Sequence, residues 1–246
     1  MRRLLFCLAS VAAIGAAHAA GKIPDVIPID QGWHISLDAQ GHLTSLQAIP
    51  DKRLDRVPQI RARLEQEIRG WQFLPGTIDG KPQPTDSALF VHATLTKVSD
   101  ENYSIRVDQA HTGSSGVTVV PPHYPRTAVI SHTVGEVVLR IGYDADGGVT
   151  SVALDPEAPK VAKSLVEASI DAAKQWKFKP ENVGGHSVAG YVIVPFCFNL
   201  RYVGGGGKSS KCDWKRSGSN EALDDGKTLA VNPAAKLLTD VAGRAL

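Results

Sequence analysis

The residues that could do chemistry in this chain are two cysteines, seven histidines beyond the N-terminal stretch and two turns rich in acid or glycine. Asp144 and Asp146 head a loop with a calcium-binding look. That pattern also needs an oxygen-bearing fifth position and a Glu at its twelfth. Gly148 and Asp155 stand there, so the loop reads as a turn. Residues 204–209, Gly-Gly-Gly-Gly-Lys-Ser, have the look of a phosphate loop, which requires a glycine five places before its last one. Tyr202 occupies that place. His34, His42, His92, His111, His123, His132 and His186 fall at no metal-ligand spacing such as HExxH. No Gly-x-Ser-x-Gly elbow is present, and Cys197 has no base placed beside it. The expectation is a chain with no metal, no cofactor and no catalytic role.

Compartment and charge come next. Arg2 and Arg3 precede an apolar run over residues 4–15, and Ala17-His18-Ala19 has the small-x-small form of a leader-peptidase site. The reading is a cleaved leader over residues 1–19 and a periplasmic chain. An uncleaved inner-membrane anchor is the alternative, although the run is shorter than the about 20 apolar residues a spanning helix needs. The whole chain has 27 Lys+Arg against 25 Asp+Glu, and losing Arg2 and Arg3 balances them. Zero net charge leaves no footprint for nucleic acid or anionic lipid.

The sequence also repeats itself. Residues 37–46 (LDAQGHLTSL) align with residues 143–152 (YDADGGVTSV) at an offset of 106. Trp71-Gln-Phe73-Leu-Pro75 aligns with Trp176-Lys-Phe178-Lys-Pro180 at an offset of 105, and Gly80 aligns with Gly185. Val137, Leu139, Ile141 and Tyr143 alternate as a strand into a glycine turn at Gly147. A second strand follows, then a helix over residues 160–176 that lacks Gly and Pro, then a strand over residues 188–202. The first copy has Trp33, Ile35 and Leu37 before its turn. A helix after Pro58 and alternation from Leu89 to Leu95 complete it, with Tyr103, Ile105 and Val107 as one more strand. The fold class is therefore α+β, with two tandem small antiparallel-sheet modules (strand-strand-helix-strand) and helices on one face. The expected boundaries are 20–112 for a degenerate first module, 113–122 for a linker and 123–203 for the second module. A flexible tail over 204–246 carries a short helix from Pro233 to Ala245. Trp71, Phe73, Trp176 and Phe178 are expected in the cores, with Gly147 setting its turn.

The ordered set Tyr124-Pro125, Ala128, Gly135-x-Val137, Asp144-x-Asp-Gly147-x-Val149, Trp176-x-Phe178-x-Pro180 and Val194-Pro195-x-x-Phe198 resembles the C-terminal domain of the TonB energy-transducer family. The resemblance covers about 121–201, with the degenerate copy at about 30–96. It implies a protein or peptide partner that pairs as an added strand, such as a segment of an outer-membrane receptor. By the same analogy the contact residues are Val192, Val194, Phe196 and Phe198 on the last strand, with Tyr124 and Pro125 at the turn. Such an edge has unpaired N–H and C=O groups that a partner strand satisfies. A TonB transducer also needs an inner-membrane anchor and a long Pro-rich spacer, and Pro121-Pro122 spans almost nothing.

Three functions follow as expectations: a periplasmic strand-capturing module linked to TonB-type transport, a self-associating structural protein or homodimer with no free edge, and an anchored transducer if the leader stays. A bridge between Cys197 and Cys212 would close a loop of about 15 residues and add about 3 kcal/mol by the chain-entropy model. Two free thiols are the alternative. Intact mass before and after reduction, with alkylation, checks this: both thiols should resist alkylation until a reductant is added.

Overall fold

The computed structural model describes residues 26–99, 102–201, 207–208, 212, 214–217, 223 and 225–246. The expected leader over 1–19 lies outside the described residues. In the first half, β1 (Val26–Leu37), β2 (Leu43–Ala48), α1 (Pro58–Ile68) and β3 (Phe73–Leu74) follow in order. A small hairpin of β4 (Thr77–Ile78) and β5 (Lys81–Pro82) leads to β6 (Thr85–Lys97) and β7 (Tyr103–Gly113). The second half has β8 (Ser115–Thr118), α2 (Arg126–Ile130), β9 (Gly135–Tyr143), β10 (Val149–Leu154) and α3 (Lys163–Ala173). It continues with β11 (Lys177–Lys179), β12 (Asn182–Val183), β13 (His186–Ser187), β14 (Gly190–Phe198), β15 (Leu200–Arg201) and β16 (Gly207–Lys208). The C-terminal segment adds β17 (Leu229–Ala230), β18 (Lys236–Leu237) and β19 (Arg244–Ala245).

Every strand pairing is antiparallel. One sheet runs β2-β1-β6, and the far side of β6 is shared end to end. There β12 covers Thr85 and Asp86, and β7 covers Ala88 to Lys97. The other sheet runs β10-β9-β14-β17. Alternating apolar residues turn Trp33, Ile35, Leu37, Leu89 and Val91 into one core, which Leu64 and Ile68 of α1 cover. Pro58 opens α1 at its first turn, where no amide partner is lost. Leu165 and Ala173 of α3 cover Val137, Leu139, Ile141, Val192, Val194 and Phe196 in the same way. Trp71, Phe73, Trp176 and Phe178 are all buried.

The two aligned turns close identically. Asp38 N–H donates to the His42 carbonyl and Gly41 N–H to the Asp38 carbonyl, each at 3.0 Å. Asp144 and Gly147 make the matching pair at 2.9 and 3.0 Å. Asp38 Oδ1 accepts the amides of Gln40 and His42, and Asp144 Oδ1 those of Asp146 and Gly148. A Cβ at Gly41 would lie 2.1 Å from the Phe73 carbonyl oxygen, and one at Gly147 only 1.9 Å from that of Phe178. In both places the glycine lets the hairpin sit against the chain leaving the helix.

Three expectations need correcting. The 113–122 segment is not a loose linker: Gly113 ends β7, and β8 pairs with β11. No helix spans 233–245; β18 pairs with β3 and β19 with β7, and Ala235 and Val241 join the first core. A short helix there would be marginal by itself, and the apolar residues beyond Pro233 are more deeply buried against an existing sheet. The halves also interlock, since β12 and β13 lie in the first sheet.

The turn geometry predicts a graded pair of effects. Gly147→Ala should lower the urea-unfolding free energy by more than about 2 kcal/mol, because a positive φ and a backbone clash add. At Gly185, also at positive φ but with nothing within 4 Å, Ala should cost only about 1 kcal/mol.

Candidate functional site

The strand expected to be an open edge is β14, and it is occupied. Its odd-numbered residues turn their backbone groups away from β9, toward the C-terminal segment. Val231 N–H donates to the Tyr191 carbonyl at 2.9 Å, Ile193 pairs with Leu229, and Gly226 N–H donates to the Pro195 carbonyl at 2.7 Å. Cys197 N–H donates to Asp225 Oδ1 at 2.8 Å. Pro195 has no amide to offer on that side, which is where a sheet tolerates proline. Among the described residues, no strand pairs with the outer edge of β10.

One face of β14 is covered and the other is covered around Ile193. Val192, Val194, Phe196 and Phe198 point into the helix-covered core at 0 to 4% exposure, and their backbone groups face β9, so an added strand would meet the backbone of the odd-numbered residues instead. Ile193 turns to the opposite face, where Val138, Trp214 and Leu223 form a second cluster with Leu229 and Val231 against it. Cys197 is bonded to Cys212, with their Cα atoms 5.8 Å apart. Trp214 is held there by its indole N–H on the Glu157 carbonyl at 3.2 Å.

Tyr124 and Pro125 do structural duty around α2. Pro125 precedes the helix, and the Tyr124 hydroxyl donates to the Thr133 carbonyl at 2.6 Å, with its ring edge-on to Phe198. Tyr124, Phe196 and Phe198 do meet, lining a cavity of about 340 Å³ with Trp176, Asp225 and Gly226. Pro125, Val192 and Val194 lie outside that lining. Among the described residues no helix is long and apolar enough to cross a membrane, and no group of three or more His, Cys, Asp and Glu is placed to hold a metal.

Residues 120–200 match the model of the Gram-negative bacterial TonB protein C-terminal. Protein TonB of Xanthomonas campestris pv. campestris is 40% identical over 80 residues, which are 32% of this chain and 35% of that protein. Protein TonB of Vibrio cholerae serotype O1 is 33% identical over 81 residues, 33% of this chain and 32% of that protein. The chain thus spans about a third of the length of these curated relatives. A solution NMR structure of the Pseudomonas aeruginosa TonB CTD aligns at a TM-score of 0.31 and 20% identity, covering 44% of this chain and 97% of that one. The TonB C-terminal match begins at Val120, whose carbonyl accepts the Trp176 indole N–H, and runs through β14.

Sequence reasoning missed the groups that hold the capping segment from its other side. Asp30 on β1 is hydrogen-bonded to His92 on β6 and ion-paired with Lys227 at 2.8 Å. His111 on β7 stacks on Phe90 at 5.3 Å, and its Nε2 lies 3.1 Å from the Thr228 carbonyl. These residues line a cavity of about 250 Å³. Only strand register brings them together: Phe90 faces His111, and Asp30 faces His92. The His92 hydrogen bond holds the Asp30 carboxyl well below its usual range against the opposing cost of burial, and Lys227 adds to the lowering. Burial pushes the His111 pKa down to about 4, helped by nearby His92.

The sign follows from that depression. The folded state keeps His111 neutral while the unfolded chain protonates it below about 6.5. Stability should therefore fall between pH 6.5 and 4, by up to about 1.4 kcal/mol per pH unit from this group. The Asp30 contribution persists until the pH drops below about 4. Burial also lowers His34, so the check is the difference between wild type and His111→Phe. Urea midpoints from pH 7.5 to 4.5 should give the variant the flatter profile.

Proposed function

We propose that this chain is a periplasmic protein-binding module of the TonB C-terminal kind that engages an extended partner segment by strand addition along β14. The match of residues 120–200 to the TonB C-terminal model carries this reading. The arrangement of β14 supports it, since among the described residues its outward backbone groups are met by the short stretch from Asp225 to Val231. Main-chain hydrogen bonds would supply affinity, and the neighbouring cavity beside Tyr124 would take a side chain. By resemblance the partner is a segment of an outer-membrane receptor, which would link the protein to TonB-type transport. The leader-like N-terminus favours secretion to the periplasm, with inner-membrane anchoring as its counterpart if the leader is retained. Balanced charge disfavours nucleic acid, and no catalytic arrangement stands out for an enzyme.

The first half reads as a degenerate second copy of the same module. Its Asp38–His42 turn and its glycine packed on the Phe73 carbonyl repeat the second half in detail. A second functional reading is favoured by one observation, the pairing of β17 with β14. In that reading the chain is a structural protein, monomeric or homodimeric, whose edge is permanently closed.

Hydrogen exchange separates the two. In a strand-capturing module, the amides of Ile193 and Cys197 exchange through local opening of residues 225–231, well before global unfolding. An edge protected as strongly as the β9 amides, in a chain shown monomeric by solution mass, would sink strand capture at β14.

A further inference from the structure

Residues 225–231, Asp-Gly-Lys-Thr-Leu-Ala-Val, fill the slot between β14 and β7, and each meets a distinct surface. Asp225 accepts the Cys197 amide through its carboxylate. Gly226 takes a positive φ of 71° while its amide reaches the Pro195 carbonyl. Lys227 is paired with Asp30 at 2.8 Å. The Thr228 carbonyl faces His111 Nε2 at 3.1 Å. Leu229 and Val231 pack on the Val138, Ile193 and Trp214 cluster. Ala230 runs so close to β7 that a Cβ at Gly113 would lie 2.6 Å from its own Cβ. The slot therefore does more than offer backbone pairing: it has a charge requirement, a size limit and an apolar rail at fixed positions.

We propose that this slot is a sequence-selective site for an extended peptide lying antiparallel to β14, and that residues 225–231 are its resident template. The partner it fits has Asp or Asn followed by Gly, then a basic residue opposite Asp30. After one intervening residue come an apolar residue, a small residue against Gly113 and a second apolar residue. This rests on the reading of β14 as a strand-capturing edge and adds what the edge selects. A resident strand of this kind is an intramolecular competitor at an effective concentration in the millimolar range. The matching partner segment binds by exchange with it.

The test uses the full chain with Leu229→Pro, which removes the resident amide facing Ile193 and disfavours pairing. A fluorescently labelled synthetic peptide of residues 223–232 is titrated against it by anisotropy. The variant should bind this peptide at least about tenfold tighter than wild type does, because the competitor is gone. It should also bind it at least about tenfold tighter than a scrambled peptide. Ala230→Leu in the peptide should lose about tenfold in affinity, from the contact with Gly113. Lys227→Glu in the peptide should weaken binding, and Asp30→Lys in the protein should restore it. The second variant, Lys227→Glu in the chain, keeps every backbone donor and should show the same ordering with smaller ratios. Equal binding of native and scrambled peptides overturns the template while leaving strand capture intact. Folded variants that bind no extended peptide at all overturn both. If neither variant folds, the segment is an obligate part of the core and the exchange proposal falls.

Discussion

A strand at the rim of a sheet presents amide and carbonyl groups that lose stability if they are neither solvated nor paired, and much of this molecule is arranged around that demand at β14. The strand carries Val192, Val194, Phe196 and Phe198 into one core and Ile193 into another, so water is kept from one face and from the middle of the other, with Tyr191 left exposed. Its outer groups must then be met by protein. The chain meets them with its own residues 225–231, at the Tyr191, Ile193, Pro195 and Cys197 positions. Pro195 lowers the demand by one amide. The Cys197–Cys212 bond fixes the start of the returning segment beside the strand that it must cover.

The C-terminal segment is also gripped by two acids, half-buried Asp30 within the capping stretch and buried Glu181 just past it, and this ties the two halves together. Glu181 is 3% exposed and accepts the Ser87 hydroxyl at 2.7 Å, the Ala234 amide at 2.7 Å and the Ala235 amide at 3.1 Å. A carboxylate so placed is costly unless it is hydrogen-bonded on all sides. Its donors come from β6 and from the C-terminal segment. Asp30 does comparable work through His92 and Lys227. Asp30 holds Lys227 and Glu181 holds Ala234 and Ala235, so the grip beyond Asn232 is separable from the grip on β14. The Glu181 contacts anchor the chain just past the stretch that caps the edge.

Much of the fold was legible because local signals agreed with it. The alternation of Val137, Leu139, Ile141 and Tyr143 marked the face under α3. The glycine turns and the Trp-x-Phe-x-Pro landmarks marked the points where hairpin and helix exit touch. The bond of Cys197 to Cys212 was one of two states that the sequence left open, beside two free thiols. What escaped notice came from long-range register. Val138 next to Val137 was a sign of burial on both faces, but nothing local said that Trp214 and Leu223 would cover it. His92, His111 and Asp30 are separated by up to 81 positions and meet only because β1, β6 and β7 pair as they do. Residues 229–230, 236–237 and 244–245 form two-residue strands, too short to leave a period-2 pattern, so they read as loop and weak helix. Their structure is imposed by the sheets that receive them.

Closure of β14 and capture of a partner by β14 are compatible when the closing segment opens locally. Residues 225–231 contribute a few apolar contacts, a short row of edge hydrogen bonds, the Lys227–Asp30 pair and the Thr228 contact with His111, much less than the cores under α1 and α3. Opening of this stretch alone leaves the Cys197–Cys212 bond upstream and the Glu181 contacts downstream in place, so the displaced strand stays tethered at both ends. Apparent affinity for a partner is then the intrinsic affinity reduced by the fraction of open molecules. A tethered competitor thus weakens every segment by the same factor and raises the intrinsic affinity that a partner must have to bind at all. Only a segment that reproduces the charge on Asp30, the small residue at Gly113 and the apolar pair over Ile193 competes on equal terms. Occupancy of the edge sets this threshold while the slot's own contacts supply the selectivity, and the resident strand keeps an otherwise adhesive edge from pairing at random.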